Sequence, residues 1–293
     1  MDEVQGLYTL ASIFALAFGL IVGSFLNVCV HRIPRGESVV SPRSRCPGCM
    51  NPIVWYDNIP IISWIMLGAK CRTCGTTISW QYPLVEGLTG LLFFLVFWRF
   101  GFVIATPIYM MLAAGLVLIT FIDLTDWTIP NEVTLPGIPI GIGCAALATW
   151  YPESGLRVLG PGVPVFSALI GAIVGGGALY LLDKITLLLL RKRGMGMGDV
   201  KLLAMLGAFF GWPGVIMMLI FASMLGSVAG VSLIMWARKT GGGEELPYED
   251  DDSISVSAHY LPFGPYLCVA GLVVMFFGAE IYTEYVTYMA VGL

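Results

Sequence analysis

Residues 194–214 read GMGMGDVKLLAMLGAFFGWPG. Alternating glycines lead to a single carboxylate, Asp199, and Asp199 leads straight into an apolar run that closes on GWPG. What the acid means depends on the solvent around it. The chain has 293 residues, of which 57% are hydrophobic and only 12% charged, and its mean hydropathy is +0.85. A soluble domain carries about 25% charged residues. Most of this chain therefore lies in lipid, and a spanning helix there needs about 20 mostly apolar residues. The pattern predicts about eight such helices, near 7–30, 83–99, 105–125, 133–151, 163–190, 199–212, 213–236 and 262–287. The sixth is short, and GWPG joins it to the seventh as a tight helical hairpin. The fold class is an all-α polytopic membrane protein.

Working outward from Asp199, two polar stretches interrupt the helices. Residues 31–82 hold four arranged cysteines and six basic residues, and form a small cytoplasmic loop domain after helix one. Residues 237–260 combine a glycine run with acids and cannot build a core. The expected division is a first transmembrane helix at 1–30, the loop domain at 31–82 and the transmembrane catalytic domain at 83–293. The start, MDEVQGLYTLASIF, lacks a basic region and a small-residue cleavage site, so it reads as a retained helix. Thirteen of the 15 Lys and Arg fall on one side of these spans, with Arg99 and Arg157 on the other. The positive-inside rule makes the basic side cytoplasmic and sends both termini outward. A nucleic-acid partner is not expected.

Asp199 enters the bilayer from that side, and an acid at such a position is a functional candidate by default. The competing reading is a carboxylate that complements a helix N-terminus. GMGMGD is no dinucleotide fingerprint, because the last required glycine falls on Asp199 or Lys201. A second acid weighs on the choice. The third helix ends in LITFIDLTDWTIPNEVTLPG, with Asp123 after a long apolar run and Asp126 three residues on. Asp123 and Asp199 lie on different helices, on the same side and at similar depth. Two such carboxylates share one proton, since close like charges resist joint ionisation. One can then serve as base on a water while the other polarises a carbonyl. The glycines before Asp199 would let a peptide backbone approach.

CPGC at 46–49 and CRTC at 71–74 are separated by 21 residues. Two C-x2-C knuckles make a four-thiolate zinc signature, in which Cys46, Cys49, Cys71 and Cys74 leave no open position for water, so the metal is structural. Two redox-active pairs are the alternative. Cys29, Cys144 and Cys268 lie in apolar runs as small core residues.

Several stretches resemble one family. GMGD at 196–199 is similar to the GxGD signature of intramembrane aspartyl proteases. FIDLTDWTIPN at 121–131, GSFLNVCVHRIP at 23–34 and NIPIISWIMLGAKCRTCGTTISWQYPLVE at 58–86 resemble the type IV prepilin peptidases. LPFGPY at 261–266 is similar to the proline-containing loop of other GxGD proteases. The resemblance implies that Asp123 and Asp199 are the catalytic pair; Asp126 departs from the spacing of many relatives. It further implies an enzyme of the bacterial inner membrane, with its active site at the cytoplasmic face. Its substrates are prepilins of type IV pili or pseudopilins of type II secretion, whose basic leaders end in glycine before an apolar helix usually starting with Phe. Many members also methylate the new N-terminal amine with S-adenosylmethionine, and the tetracysteine loop accompanies that activity. No methyltransferase motif is visible, so residues that bind this cofactor stay unassigned.

Other readings rest on single residues. Glu86, opening the second helix, is open to a helix-capping role or to one in substrate handling or methylation. Asn27 and Arg32 are placed to orient the loop, His31 and His259 read as loop residues, and Asp183 reads as a local ion pair with Lys184 or as snorkelling near the cytoplasmic face rather than as catalytic. The competing functions are a peptidase without methyltransferase activity and a proton-coupled transporter. Against the transporter, the acids sit near one face and no repeat is evident.

Overall fold

The computed structural model describes residues 2–190, 196–239 and 262–291. Among these the regular structure is helical, apart from two isolated bridges, Arg45 with Pro52 and Lys70 with Thr77. The helices are α1 (Asp2–Arg32), a short α2 (Ile62–Met66), α3 (Gln81–Phe100), α4 (Ala105–Asp126), α5 (Asn131–Trp150), α6 (Pro164–Leu190), α7 (Met197–Lys239) and α8 (Gly264–Val291). Seven of these runs are long and apolar enough to cross a membrane. The sequence divides 199–236 into two spans, whereas the structure holds one helical run broken at Gly211.

The break is a reversal. Gly211 has φ 78° and ψ 174°, a conformation outside the helical region that suits glycine, and Pro213 follows. A Cβ added to Gly207 would lie 2.8 Å from Val215 Cγ2. Residues eight apart in an unbroken helix are about 12 Å apart. The chain therefore turns back on itself, and the expected hairpin exists inside α7.

The other helix ends follow local chemistry. Gly101 stops α3 at φ 70°, its N–H donating to Phe97 O at 2.8 Å. Trp127 stops α4 in the left-handed region at φ 55°, its N–H donating to Asp123 O at 3.2 Å. Pro130, extended at ψ 129°, then leads into α5. This four-residue link (Trp127 to Pro130) keeps the end of α4 beside the start of α5.

With no water to expel, helices in lipid associate through close packing, and small residues let backbones touch. Here α6 and α7 use glycine for it. A Cβ on Gly175 would sit 2.5 Å from Leu203 O, and one on Gly171 would sit 2.7 Å from the Gly211 carbonyl carbon. The core between the helices is apolar, with Leu116, Ile119, Ile122, Leu202, Leu203 and Leu206 fully buried.

The bundle has two chemically distinct ends. At one, Tyr8 OH reaches Phe97 O and Trp98 O at 3.1 and 3.0 Å, and Leu159 N–H donates to Phe210 O at 2.9 Å. Arg157 pairs there with Glu280 at 2.8 Å, and Arg99 pairs with the same carboxylate. The two arginines assigned by sequence to the minority side thus meet at one end. The other end carries the C-termini of α1 and α4 and the N-termini of α3, α5, α7 and α8. Arg191, Lys192 and Arg193, counted with the basic majority, lie outside the described residues.

Gly171→Val should lower the melting temperature of the purified protein in detergent, by the about 1–3 kcal/mol that overpacking costs. Gly143→Val, where nothing lies within 4 Å of the added Cβ, should leave it nearly unchanged. Equal melting of both variants would contradict backbone contact between α6 and α7.

Candidate active site and thiol cluster

Asp123 lies in the last turn of α4 and Asp199 in the first turn of α7. Both are buried, at 6% and 8% exposure. Ile129, from the link between α4 and α5, holds the two regions together. A Cβ on Gly198 would meet Ile129 Cβ at 2.7 Å. One on Gly264 would meet Ile129 Cδ1 and Asp123 Cγ, both at 3.1 Å. The space beside Gly198 is therefore filled by the chain's own Ile129, whereas Gly196 meets only the Asp199 carboxylate at 3.4 Å and a neighbouring backbone nitrogen. Gly194 lies outside the described residues.

The N-terminus of α8 completes the site. The Gly264 backbone N–H donates to the Asp123 carboxylate, and its missing side chain is what lets it come so close. Asp199 N–H bonds Gly196 O at 3.2 Å, shaping the turn that presents the acid. Asp199 Oδ1 is buried with no hydrogen-bond partner among the described residues, and the Asp123 charge acts on it directly. One turn along α8, Cys268 is 1% exposed, lies beside the Thr120 hydroxyl, which itself donates to Leu116 O at 2.7 Å, and is within electrostatic range of both acids. It is a core residue as expected, but it also feels the charge of the acid pair.

Asp126 does not join them. It is only half buried, accepts the Thr125 hydroxyl at 2.9 Å and interacts with His31 of α1. His31 is not a loop residue: it sits in the last turn of α1, its ring 5.7 Å from Tyr82. His259 lies outside the described residues, as does Leu261 of LPFGPY. On α5 and α7, Lys201 Nζ donates to Asn131 Oδ1 at 2.7 Å, bracing the two helix starts around the acids. Asp183 is buried, and Lys184 lies over the Tyr180 ring at 5.3 Å.

The four loop cysteines converge. Their sulfurs all lie within 4.8 Å of one another. Each C-x2-C is the same knuckle. Cys46 N–H donates to Asn51 O at 3.0 Å and Met50 N–H returns to Cys46 O at 2.8 Å. Cys71 N–H donates to Thr76 O at 2.8 Å and Gly75 N–H returns to Cys71 O at 2.9 Å. Met50 and Gly75, at φ 58° and 71°, turn both chains left-handed at the equivalent position. Gly48 allows the knuckles to meet, because a Cβ there would lie 2.5 Å from Thr76 Oγ1. Cys46 and Cys74 sulfurs are 3.7 Å apart, and all four are free thiols. An edge of a tetrahedron with metal–sulfur bonds of about 2.3 Å is about 3.8 Å, so the donor set fits a metal ion. Thr76, through its hydroxyl and then its backbone N–H, pulls the Cys74 thiol down to about 6. Nearby, Arg72 grips Asp57 at 2.7 and 2.9 Å and holds its carboxyl below the usual range.

Three side chains tie this loop to the helices. Arg32 donates to Ser38 O and Pro42 O, both at 2.8 Å. Asn27 donates to Tyr82 O at 3.1 Å. Glu86 is not a helix cap. It lies one turn inside α3, is buried, and accepts the Ile61 N–H at 2.8 Å and the Ser24 hydroxyl. Ile61 is held at φ 61°, a conformation costly for a β-branched residue.

A polytopic helical bundle with two buried carboxylates at one end, and a four-thiol cluster at the same end, defines a narrow class of membrane protein. Residues 17–100 match the model of the bacterial peptidase A24 N-terminal domain, and residues 110–231 match that of the type IV leader peptidase family. Among curated relatives, the prepilin leader peptidase/N-methyltransferase of Stutzerimonas stutzeri is 33% identical over 94% of this chain and 93% of its own. That of Neisseria gonorrhoeae is 34% identical over 94% and 93%. That of Myxococcus xanthus is 41% identical over 79% of this chain, a match that spans only 66% of the relative's length. No solved structure matches. The chain belongs to the type IV leader peptidase family.

Glu86→Ala should leave the Ile61 amide without its acceptor. A net hydrogen bond is worth about 1 kcal/mol, so amide exchange across the Ile61 region should accelerate several-fold by mass spectrometry. Unchanged protection would mean that Glu86 does not hold the loop.

Proposed function

We propose that this protein is a prepilin leader peptidase and N-methyltransferase in which Asp123 and Asp199 form the hydrolytic pair. The supporting observation is that two acids, 76 residues apart in sequence and on different helices, are buried around one isoleucine, with an Asp199 carboxylate oxygen unpartnered among the described residues. One carboxylate takes a proton from water as the water oxygen attacks the scissile carbonyl carbon. The other, protonated, hydrogen-bonds the carbonyl oxygen. The adduct collapses, the C–N bond breaks and the leaving nitrogen takes a proton, freeing the leader and the new amine. The names of the relatives join peptidase and methyltransferase, which favours the bifunctional reading over a peptidase alone or a transporter.

The chain is a multi-pass protein of the bacterial inner membrane, and we place the acid-bearing end at its cytoplasmic face. Arg32, Arg35, Arg43, Arg45, Lys70, Arg72 and Lys201 lie at or beside that end, whereas Arg99 and Arg157 pair with Glu280 at the other. A substrate with a basic leader and an apolar helix then keeps its helix in the bilayer and its scissile bond level with the acids. Type IV prepilins and type II pseudopilins have this form. The acidic stretch Glu249–Asp252, a candidate contact for the leader, lies outside the described residues.

Cys46, Cys49, Cys71 and Cys74 are assigned to one zinc ion, which closes the loop without an open coordination position. S-adenosylmethionine, when bound, supplies the methyl group for the freed amine. This charged, soluble cofactor must arrive from the aqueous side, where the thiol-stapled loop lies.

Asp123→Asn and Asp199→Asn should each lower cleavage of a synthetic prepilin by at least about 100-fold, with the protein still folded in the membrane. Asp126→Asn should stay active. Normal cleavage by either of the first two would sink the assignment.

Replacing any of the four loop cysteines should remove close to one zinc per chain by elemental analysis. It should also impair methylation more than cleavage, while Asp199→Asn still methylates a peptide supplied without its leader. Mass spectrometry of products, with and without S-adenosylmethionine, separates the two activities. Equal loss of both in a folded cysteine variant would show that the loop also shapes the proteolytic site.

A further inference from the structure

A groove of about 360 Å³ lies between the C-terminal half of α1 and the thiol-bearing loop. Its floor is Ile21, Phe25 and Val28, one face of α1 at i, i+4 and i+7. That face is not turned into the bundle: Phe14, Phe18, Ile21 and Phe25 are 73%, 50%, 61% and 49% exposed, whereas Leu26, Asn27 and Val30 pack inward. The floor is therefore continuous with the membrane-facing surface of a spanning helix. The upper wall is polar and basic, formed by Arg32, Arg43 and Asn58. Arg32 is committed to the backbone carbonyls of Ser38 and Pro42, which fixes the loop over the groove. Arg43 is exposed and makes no hydrogen bond or ion pair among the described residues.

The lining contains two guanidinium groups and no carboxylate. Such a site favours an anion. It disfavours a ligand with a sulfonium and an ammonium, so it does not suit the methyl donor. An apolar lower half that faces lipid, under a basic rim at the interface, matches one class of molecule. We propose that this groove binds an anionic glycerophospholipid, its phosphate at Arg43 and an acyl chain along Ile21 and Phe25. Basic pockets at the membrane interface recognise anionic headgroups, at about 1 kcal/mol for each Lys or Arg. The bound lipid would fill the space under the loop and set its height above the bilayer. This assignment needs only that α1 spans the membrane; it does not depend on Asp123 and Asp199 being catalytic.

The test is native mass spectrometry of the full chain in detergent, titrated with phosphatidylglycerol or with phosphatidylcholine of the same acyl chains. Phosphatidylglycerol should be retained at one copy per chain and in preference to phosphatidylcholine. Arg43→Gln should weaken that retention about fivefold, the weight of one interfacial charge. Lys70→Gln, a charge change in the same loop but outside the groove lining, should not. A photoactivatable phosphatidylglycerol should label peptides covering 21–28 and 39–44. Equal retention of the two lipids, an unchanged Arg43→Gln variant or labelling confined to other helices would each overturn the site. Glycerol phosphate without acyl chains should not compete; competition by it would make this a headgroup site rather than a lipid site.

Discussion

Two like-charged groups held together at the edge of a bilayer are the constraint around which this molecule is organised. Neither Asp123 nor Asp199 has a cationic partner within the described bundle, and both are buried. Left to themselves they would separate or reach for water. Backbone geometry prevents it. Trp127 turns left-handed directly after α4, Ile129 wedges between Gly198 and Gly264, and the α8 N-terminus closes on Asp123. Each contact is made where a side chain is missing. The same logic continues along the membrane: Gly171 and Gly175 let α6 lie against the backbone of α7, and Gly211 sends α7 back through the bundle. The start of α7, and with it Asp199, is thereby held in position relative to α4.

The thiol-bearing loop is attached to this frame at other points. Arg32 holds its first bend, Glu86 holds Ile61, and the two knuckles hold each other through Gly48 and Thr76. None of these contacts involves Asp123 or Asp199. The loop and the acids therefore share an end of the bundle without sharing side chains. That separation suits a protein proposed to perform two successive reactions on one peptide, since each centre can be altered without dismantling the other.

Much of this was legible in the sequence because it depends on local composition. Apolar runs of sufficient length marked the helices, and GWPG marked the reversal inside α7. Paired C-x2-C spacing marked the knuckles, and an acid at the edge of an apolar run marked Asp123 and Asp199. What was not legible depends on contacts between distant segments. Gly264 against Asp123 joins residues 141 apart, and Glu86 with Ile61 has no periodic signature. Cys268 looked like any small core residue, and only the packing of α8 in the bundle brings it within electrostatic range of both acids. Gly198 was expected to leave room for a substrate backbone, yet Ile129 occupies that room. Local reading identifies a small residue but not which neighbour uses the space.

Asp199 Oδ1 shows how the frame and the chemistry are linked. A buried polar atom without a partner costs about 1–3 kcal/mol, and native structures keep few of them. Asp199 Oδ1 is such an atom among the described residues, at the start of a helix that packs closely against α6 and is joined to α5 by the Lys201–Asn131 contact. An acceptor kept ready in this way binds a donor without first breaking an internal hydrogen bond. Water or a peptide N–H entering the site gains the whole interaction. Asp123 accepts from the Gly264 backbone and Asp199 from the Gly196 backbone, so each acid is held in place at one point. Both carboxylates are thus held by backbone, while Asp199 keeps one oxygen without a partner among the described residues, and an acid and a base that must play different roles start from different surroundings.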